Sequence, residues 1–227
     1  MLTPDEAEAL LLSLKVSLVA VSCALPFALA AALLLARRRF PGKSLIDGAL
    51  HLPLVLPPVV IGYLLLVALG TRAPLGGWLA EHGIRFVFSW TGAALASGLI
   101  TFPFQLRAIR LALEAIDTGL GEAAETLGAG AFDRFLNLTL PLALPGIVAG
   151  AITAFAASLG EFGAIITFVS NIPGETRTLP LAIYSAIQSP GGEAEAARLC
   201  LMSVALALIG ITLAELADRR TRSAIGR

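Results

Sequence analysis

Residues 16–36 read VSLVAVSCALPFALAAALLLA and are followed at once by Arg37, Arg38 and Arg39. Those 21 residues carry no charge. At ~1.5 Å of rise per residue they make a helix of about 30 Å, the thickness of a bilayer's hydrocarbon core. The surrounding chain agrees. Of 227 residues, 57% are hydrophobic and 14% charged, and the mean hydropathy is +0.85. A soluble domain is ~45–50% apolar and ~25% charged, so water is excluded as the main solvent. A zero net charge gives no support to nucleic-acid binding.

Working outward, four more apolar stretches are long enough to span: about Leu52–Leu69, Phe86–Leu106, Leu142–Val169 (interrupted by Glu161) and Ala197–Ala217. Hydrocarbon offers no partner to an open backbone group, so each should be helical. The runs are too continuous for a β-barrel. The expected fold is an all-α polytopic transmembrane bundle of five spans, a single domain over residues 1–227. A cleaved signal peptide is disfavoured because Asp5, Glu6 and Glu8 precede the first run, where basic residues would be needed.

Lys and Arg segregate by side. One set of loops holds Arg37, Arg38, Arg39, Lys43, Arg107, Arg110, Arg134, Arg219, Arg220, Arg222 and Arg227. The other holds Arg72, Arg85, Arg177 and Arg198, with Lys15 at the start of the first span. The positive-inside rule then places the N-terminus outside, the C-terminus in the cytoplasm and the loop of about residues 107–141 on the cytoplasmic side. Cys23 and Cys200 sit in apolar runs without a nearby His, which reads as small buried hydrophobes rather than metal ligands.

The cytoplasmic loop carries the most specific pattern. Asp117 is placed as a helix N-cap. Leu120, Ala123, Ala124 and Leu127 follow at i, i+3, i+4 and i+7, one apolar stripe. Gly128 ends that helix. A second short helix is expected over about Ala131–Leu138, with Phe132 and Phe135 on one side, and Leu140-Pro141 leads into the fourth span. Periodicity alone is equally consistent with a solvated loop lying on the membrane.

The spacing Glu122-Ala123-Ala124, three residues, Gly128, nine residues, Leu138, one residue, Leu140-Pro141 resembles the EAA loop of ABC-importer permeases, with Leu138 where the family has Ile. His51 to Tyr63 (HLPLVLPPVVIGY) is similar to the second-span signature of molybdate permeases, and Ser158 to Ala164 (SLGEFGA) and Thr178 to Tyr184 (TLPLAIY) are similar to their later signatures. Sulfate and thiosulfate permeases share softer versions. The resemblance implies a type I ABC-importer permease fold in the bacterial inner membrane. It implies a homodimer working with two cytoplasmic ATP-binding subunits and an external oxyanion-binding protein. It makes Glu122, Ala123, Ala124, Gly128, Leu138, Leu140 and Pro141 the ATPase-coupling residues. Molybdate is the first substrate expected, with sulfate, thiosulfate or tungstate as alternatives.

No GxxxxGK[ST] motif is present, so Mg-ATP would bind the partner ATPase, and no cofactor, metal or catalytic residue is expected in this chain. An intramembrane enzyme would need a second catalytic group near Glu161, and a plain channel has no use for a two-helix dock. Thr101, Gln105, Ser158 and Glu161 are candidate path or gate residues. For Glu161 two readings stay open: a gate group, paired with a base such as Arg177, or a buried structural carboxylate. Gly146, Gly150, Ala154, Ala157 and Ala164 form a small-residue stripe suited to close helix packing. Pro26, Pro53, Pro57, Pro58 and Pro103 are expected to kink spans.

Overall fold

The computed structural model describes residues 3–37 and 40–225; Arg38, Arg39 and Arg227 of the basic set lie outside the described residues. The described chain is helical throughout, without strands. The uncharged run of residues 16–36 lies inside α1 (Pro4–Arg37), 34 residues long, and Pro26 leaves it unbroken. A second proline, Pro53, is likewise carried within α2 (Lys43–Val55).

The expected second span does not form as one helix. α2 stops at Val55 and α3 (Pro58–Leu69) leaves it at 111°. Leu56 and Pro57 are extended, with ψ of 139° and 134°. Two consecutive prolines remove two N–H donors, and each disfavours helical backbone in the residue before it. The pair therefore breaks the rod where single prolines do not.

The third span starts later than expected. Phe86–Ser89 is a turn, and Ser89 caps α5 (Trp90–Glu114) by accepting the Gly92 N–H at 3.2 Å. The short helix α4 (Pro74–Glu81) fills the loop between α3 and α5. Buried residues fall along the whole of α5, among them Ala93, Ala96, Ser97, Thr101, Leu106 and Ile109. Such a central helix needs small and weakly polar residues that let neighbours approach, not a fully apolar surface.

The loop after α5 holds α6 (Thr118–Thr126) and α7 (Ala131–Arg134). The expected separate helix of residues 131–138 is instead continuous with the span. α7 runs through a π-helical turn, Phe135–Thr139, into α8 (Leu140–Leu159), giving one helix of 29 residues. Pro141 explains the turn. Its ring would collide with the carbonyl four residues back, and the wider turn, with the Leu140 N–H bonded to Phe135 O, makes room.

The expected fourth span is also divided. Gly160–Phe162 separates α8 from α9 (Gly163–Val169), which packs against α3 and α5. After a structured loop come α10 (Leu179–Gln188) and α11 (Glu193–Ile225), which contains the expected fifth span. Among the described residues, α1 and Ala131–Leu159 are long and apolar enough to cross a membrane unaided. The bent α2–α3 pair adds a third if it counts as one span.

Two apolar clusters hold α1 and α5 together with α3 and α9 at one end and with α8 at the other. A third joins α1, α10 and α11. The Gly–Ala stripe of α8 is helix packing of the closest kind: a Cβ on Gly146 would lie 2.3 Å from Ala112 Cβ, and one on Gly150 3.1 Å from Gln105 Cα. A clasp of high sequence separation closes the N-terminal end. Arg198 on α11 donates to buried Glu6 at 2.9 Å, whose other oxygen accepts the Thr3 N–H. Replacing Arg198 by Gln strands that carboxylate and is expected to lower the thermal midpoint by about 2–4 °C, with Glu6→Gln/Arg198→Gln recovering part of the loss.

Candidate functional site

The loop between α5 and α8 is built as an elbow by local rules. Asp117 Oδ1 accepts the Gly119 N–H at 2.8 Å, the side-chain cap its position called for. Gly128 has φ +87°. Its N–H bonds to Glu125 O at 2.9 Å and the next, on Ala129, to Ala124 O at 3.0 Å. That pair of bonds is a Schellman ending, which needs a left-handed residue that glycine supplies without steric cost.

Two long-range links fix the elbow. Arg134 on α7 pairs with Glu125 of α6 and reaches Gly121 O at 3.4 Å, folding α6 against α7. Arg37, at the end of α1, donates to buried Thr139 Oγ1 at 2.7 Å, tying α1 to the π-helical turn. Sequence reasoning missed both. Residues 125 and 134 are nine apart across a glycine turn, and 37 and 139 are 102 apart, so no periodicity links either pair.

The outer surface of the elbow is apolar. Leu127 is 88% exposed and Phe132 74%, with Leu120 and Leu136 also exposed. Glu122 is exposed and makes no hydrogen bond or ion pair among the described residues. Ala123 is exposed, Ala124 half-buried, and Leu138 and Leu140 half-buried, while Pro141 is exposed. Glu122, Glu125, Arg134 and Leu138 line a cleft of about 550 Å³ between the elbow and the end of α5. Exposed leucine and phenylalanine thus stand beside an unpaired carboxylate, the composition of an interface core and its polar rim.

The four candidate path residues are placed differently. Thr101 donates to Ser97 O at 2.8 Å within α5. Gln105 donates to Val21 O on α1 at 3.2 Å. Ser158 donates to Ser17 Oγ at 3.0 Å. Glu161 Oε1 accepts the Ala164 N–H at 2.9 Å, capping α9. All four are buried among helices; Gln105 and Ser158 reach across to α1, while Thr101 bonds within α5 and Glu161 bonds the first turn of α9. Glu161 does not meet Arg177, whose Nε donates to Asn171 Oδ1 at 3.1 Å.

A further ionic group joins α2 to α5. Arg110 bonds Asp47 at 2.8 Å and Glu114 at 2.7 Å, with His51 beside Asp47. Cys23 and Cys200 are free and exposed, not buried as expected, because both lie on outward faces of their helices.

Comparison with known proteins bears on all of this. The family described as binding-protein-dependent transport system inner membrane component matches residues 24–223. The chain is 59% identical over 227 residues to the molybdenum transport system permease protein ModB of Escherichia coli (strain K12), covering 100% of this chain and 99% of that one. It is 55% identical to the ModB of Haemophilus influenzae, covering 98% and 97%. A sulfate transport system permease protein, CysW of Synechococcus elongatus, is 38% identical over 79% of this chain and 63% of its own. Among solved structures, a bacterial alginate ABC transporter in complex with its pentasaccharide-bound periplasmic protein superposes with a TM-score of 0.77 at 18% identity, covering 96% and 80%. An amino acid ABC transporter does so at 0.65 and 22%, covering 96% and 94%.

Proposed function

Because the chain belongs to the family of binding-protein-dependent transport system inner membrane components, a transport subunit of ABC importers and not an enzyme, we propose that its cargo is an oxyanion, molybdate. The observation that carries this reading is the 59% identity, end to end, with a permease named for molybdenum transport. The partial 38% match to a sulfate permease is weaker in both extent and identity.

In this reading the chain crosses the inner membrane five times as one domain, with α5 and α11 completing the set, its N-terminus outside and its C-terminus in the cytoplasm. Two copies form the path. Two ATP-binding subunits, which hold Mg-ATP, sit below them, and an oxyanion-binding protein delivers from outside. The elbow of α6 and α7 is the joint. Glu122, Ala123, Ala124 and Gly128 form the docked helix and its ending, and Leu138, Leu140 and Pro141 form the passage into α8. Leu127 and Phe132 present the apolar surface that an ATPase groove would cover.

The physics of the joint follows from its links. A push on α6 passes through the Arg134–Glu125 pair into the continuous helix Ala131–Leu159. Through Arg37 and Thr139 it reaches α1 as well. Close-packed helices move as bodies rather than deforming, so the displacement becomes a tilt of whole spans. No fixed cation lies in the uncharged run of α1, which suits a path that passes a dianion without trapping it.

The test is ATP hydrolysis by the assembled transporter with its binding protein. Molybdate should stimulate it, and sulfate at equal concentration should not. Stimulation by sulfate alone would overturn the substrate assignment. Leu127→Glu should abolish co-purification of the ATPase while leaving the permease in the membrane, and undiminished co-purification would overturn the joint.

A further inference from the structure

α1 and α5 lie side by side, and the seam between them is not filled. At one point the backbones touch: a Cβ on Gly98 would sit 3.3 Å from Ala20 O. On the outward side of that contact a furrow of about 440 Å³ remains, walled by Val19, Cys23 and Phe27 of α1 and by Ala94, Leu99 and Phe102 of α5. Small residues at its floor and larger ones at its rim give it depth. Every α1 residue in it belongs to the uncharged run of residues 16–36, so the furrow lies at hydrocarbon depth.

Its upper end is marked by two residues from different helices. Lys15 is the last charge before the uncharged run, and Trp90 is the first residue of α5. The Lys15 Nζ stands 3.6 Å from the centre of the Trp90 ring. Lysine that reaches outward and tryptophan both settle where water meets hydrocarbon. Two independent chain positions thus fix one boundary level, and the furrow begins there. From Val19 to Phe27 it descends about 12 Å at ~1.5 Å per residue, most of the ~15 Å half-thickness of a bilayer core.

The ammonium is exposed and makes no hydrogen bond or ion pair among the described residues, and no acidic side chain lines the furrow. The head of the seam is therefore a positive charge resting on an aromatic face, without an anionic partner among the described residues, above an apolar slot. An exposed ammonium at the rim of an apolar slot is the charge complement of a lipid whose phosphate sits at the interface and whose chain enters the hydrocarbon.

We propose that the α1–α5 furrow binds one acyl chain of a phospholipid with a net negative headgroup, whose phosphate is held by Lys15.

The experiment is native mass spectrometry of the whole transporter, permease with its ATPase, titrated with phosphatidylglycerol or with phosphatidylcholine of the same acyl chains. The wild type should bind the glycerol lipid about fivefold more tightly, the effect of one lysine at a charged lipid surface. Lys15→Gln should remove that preference. Cys23→Phe, which adds bulk in the furrow from an exposed position, should weaken both lipids, and Cys23→Ala should weaken neither. In bilayers, with Trp78→Phe leaving Trp90 as the sole tryptophan, chain-brominated phosphatidylglycerol should quench Trp90 more than the brominated choline lipid at equal mole fraction. Equal binding or equal quenching by the two lipids in the wild-type furrow overturns the proposal. So does unchanged binding in Cys23→Phe. A ready Cys23–Cys23 disulfide between copies would assign the seam to a second chain instead.

Discussion

Gly128→Pro is expected to reduce transport at least about tenfold while the amount of protein in the membrane stays at the wild-type level. Gly128 sits at φ +87°, which proline cannot adopt, and a β-carbon in that region costs roughly 1–2 kcal/mol. Proline also deletes the N–H that bonds Glu125 O at 2.9 Å, a further ~1 kcal/mol. Together these exceed what holds one short exposed helix in place. Tenfold in rate corresponds to ~1.4 kcal/mol, so the displaced α6 cannot keep its docking geometry without a measurable loss. The damage stays local because neither α6 nor α7 has a buried residue. Gly128→Asn separates this cause from mere sensitivity of the loop. Asparagine tolerates the left-handed region and should retain most of the transport. Uptake assays with membrane levels measured in parallel decide the matter, and normal uptake by the proline variant would remove the elbow from the mechanism.

Gly146→Val should act by the opposite route, removing the protein rather than uncoupling it. A β-carbon there meets Ala112 Cβ at 2.3 Å and the Ala108 carbonyl oxygen at 2.8 Å. Neither can move without separating α5 from α8. Overpacking of this kind costs typically 1–3 kcal/mol and more when backbone is the obstacle. Net stabilities are only about 5–15 kcal/mol, so the steady-state amount in the membrane should fall several-fold. The smaller change Gly146→Ala should do part of the same, and adding Ala112→Gly should restore part of it, because one of the two colliding atoms is then gone. An additive double variant would mean that the helices had moved apart by other means.

The parts of the fold written in short-range chemistry were legible in the sequence. Asp117 as a cap, the stripe from Leu120 to Leu127, and Gly128 as a helix ending each depend on residues within one or two turns, and the structure builds them as read. The long apolar runs were legible as helices for the same reason. Their breaks were less so. Pro57-Pro58 announced a disruption, but the 111° angle depends on what α3 packs against. Gly160–Phe162 lies inside a long apolar run interrupted by Glu161 alone, and one carboxylate marks a polar position without saying that the helix divides there. The π-helical turn came from Pro141, which was read as a helix start and is instead accommodated mid-helix.

Polar residues within apolar runs show a related limit. Thr101, Gln105 and Ser158 were candidates for a path wall because hydrocarbon penalises a bare polar group. Their partners are Ser97 O, Val21 O and Ser17 Oγ, two of them on another helix. A one-dimensional pattern shows that a partner is required, not where it stands. Arg134 and Glu125 show the same limit from the other side, since their pairing holds the elbow together and no spacing rule announces it.

The unbroken course of Ala131–Leu159 has a consequence for efficiency. If the elbow is the joint, α7 and the rod share one backbone, whereas α6 is clasped to them by the Arg134–Glu125 pair, and that clasp is where such a machine could idle, burning nucleotide below while nothing turns above. A half-exposed ion pair contributes at most about 1 kcal/mol, so it is the place that gives first. Futile turnover, wherever it occurs in this transporter, should begin with slippage there.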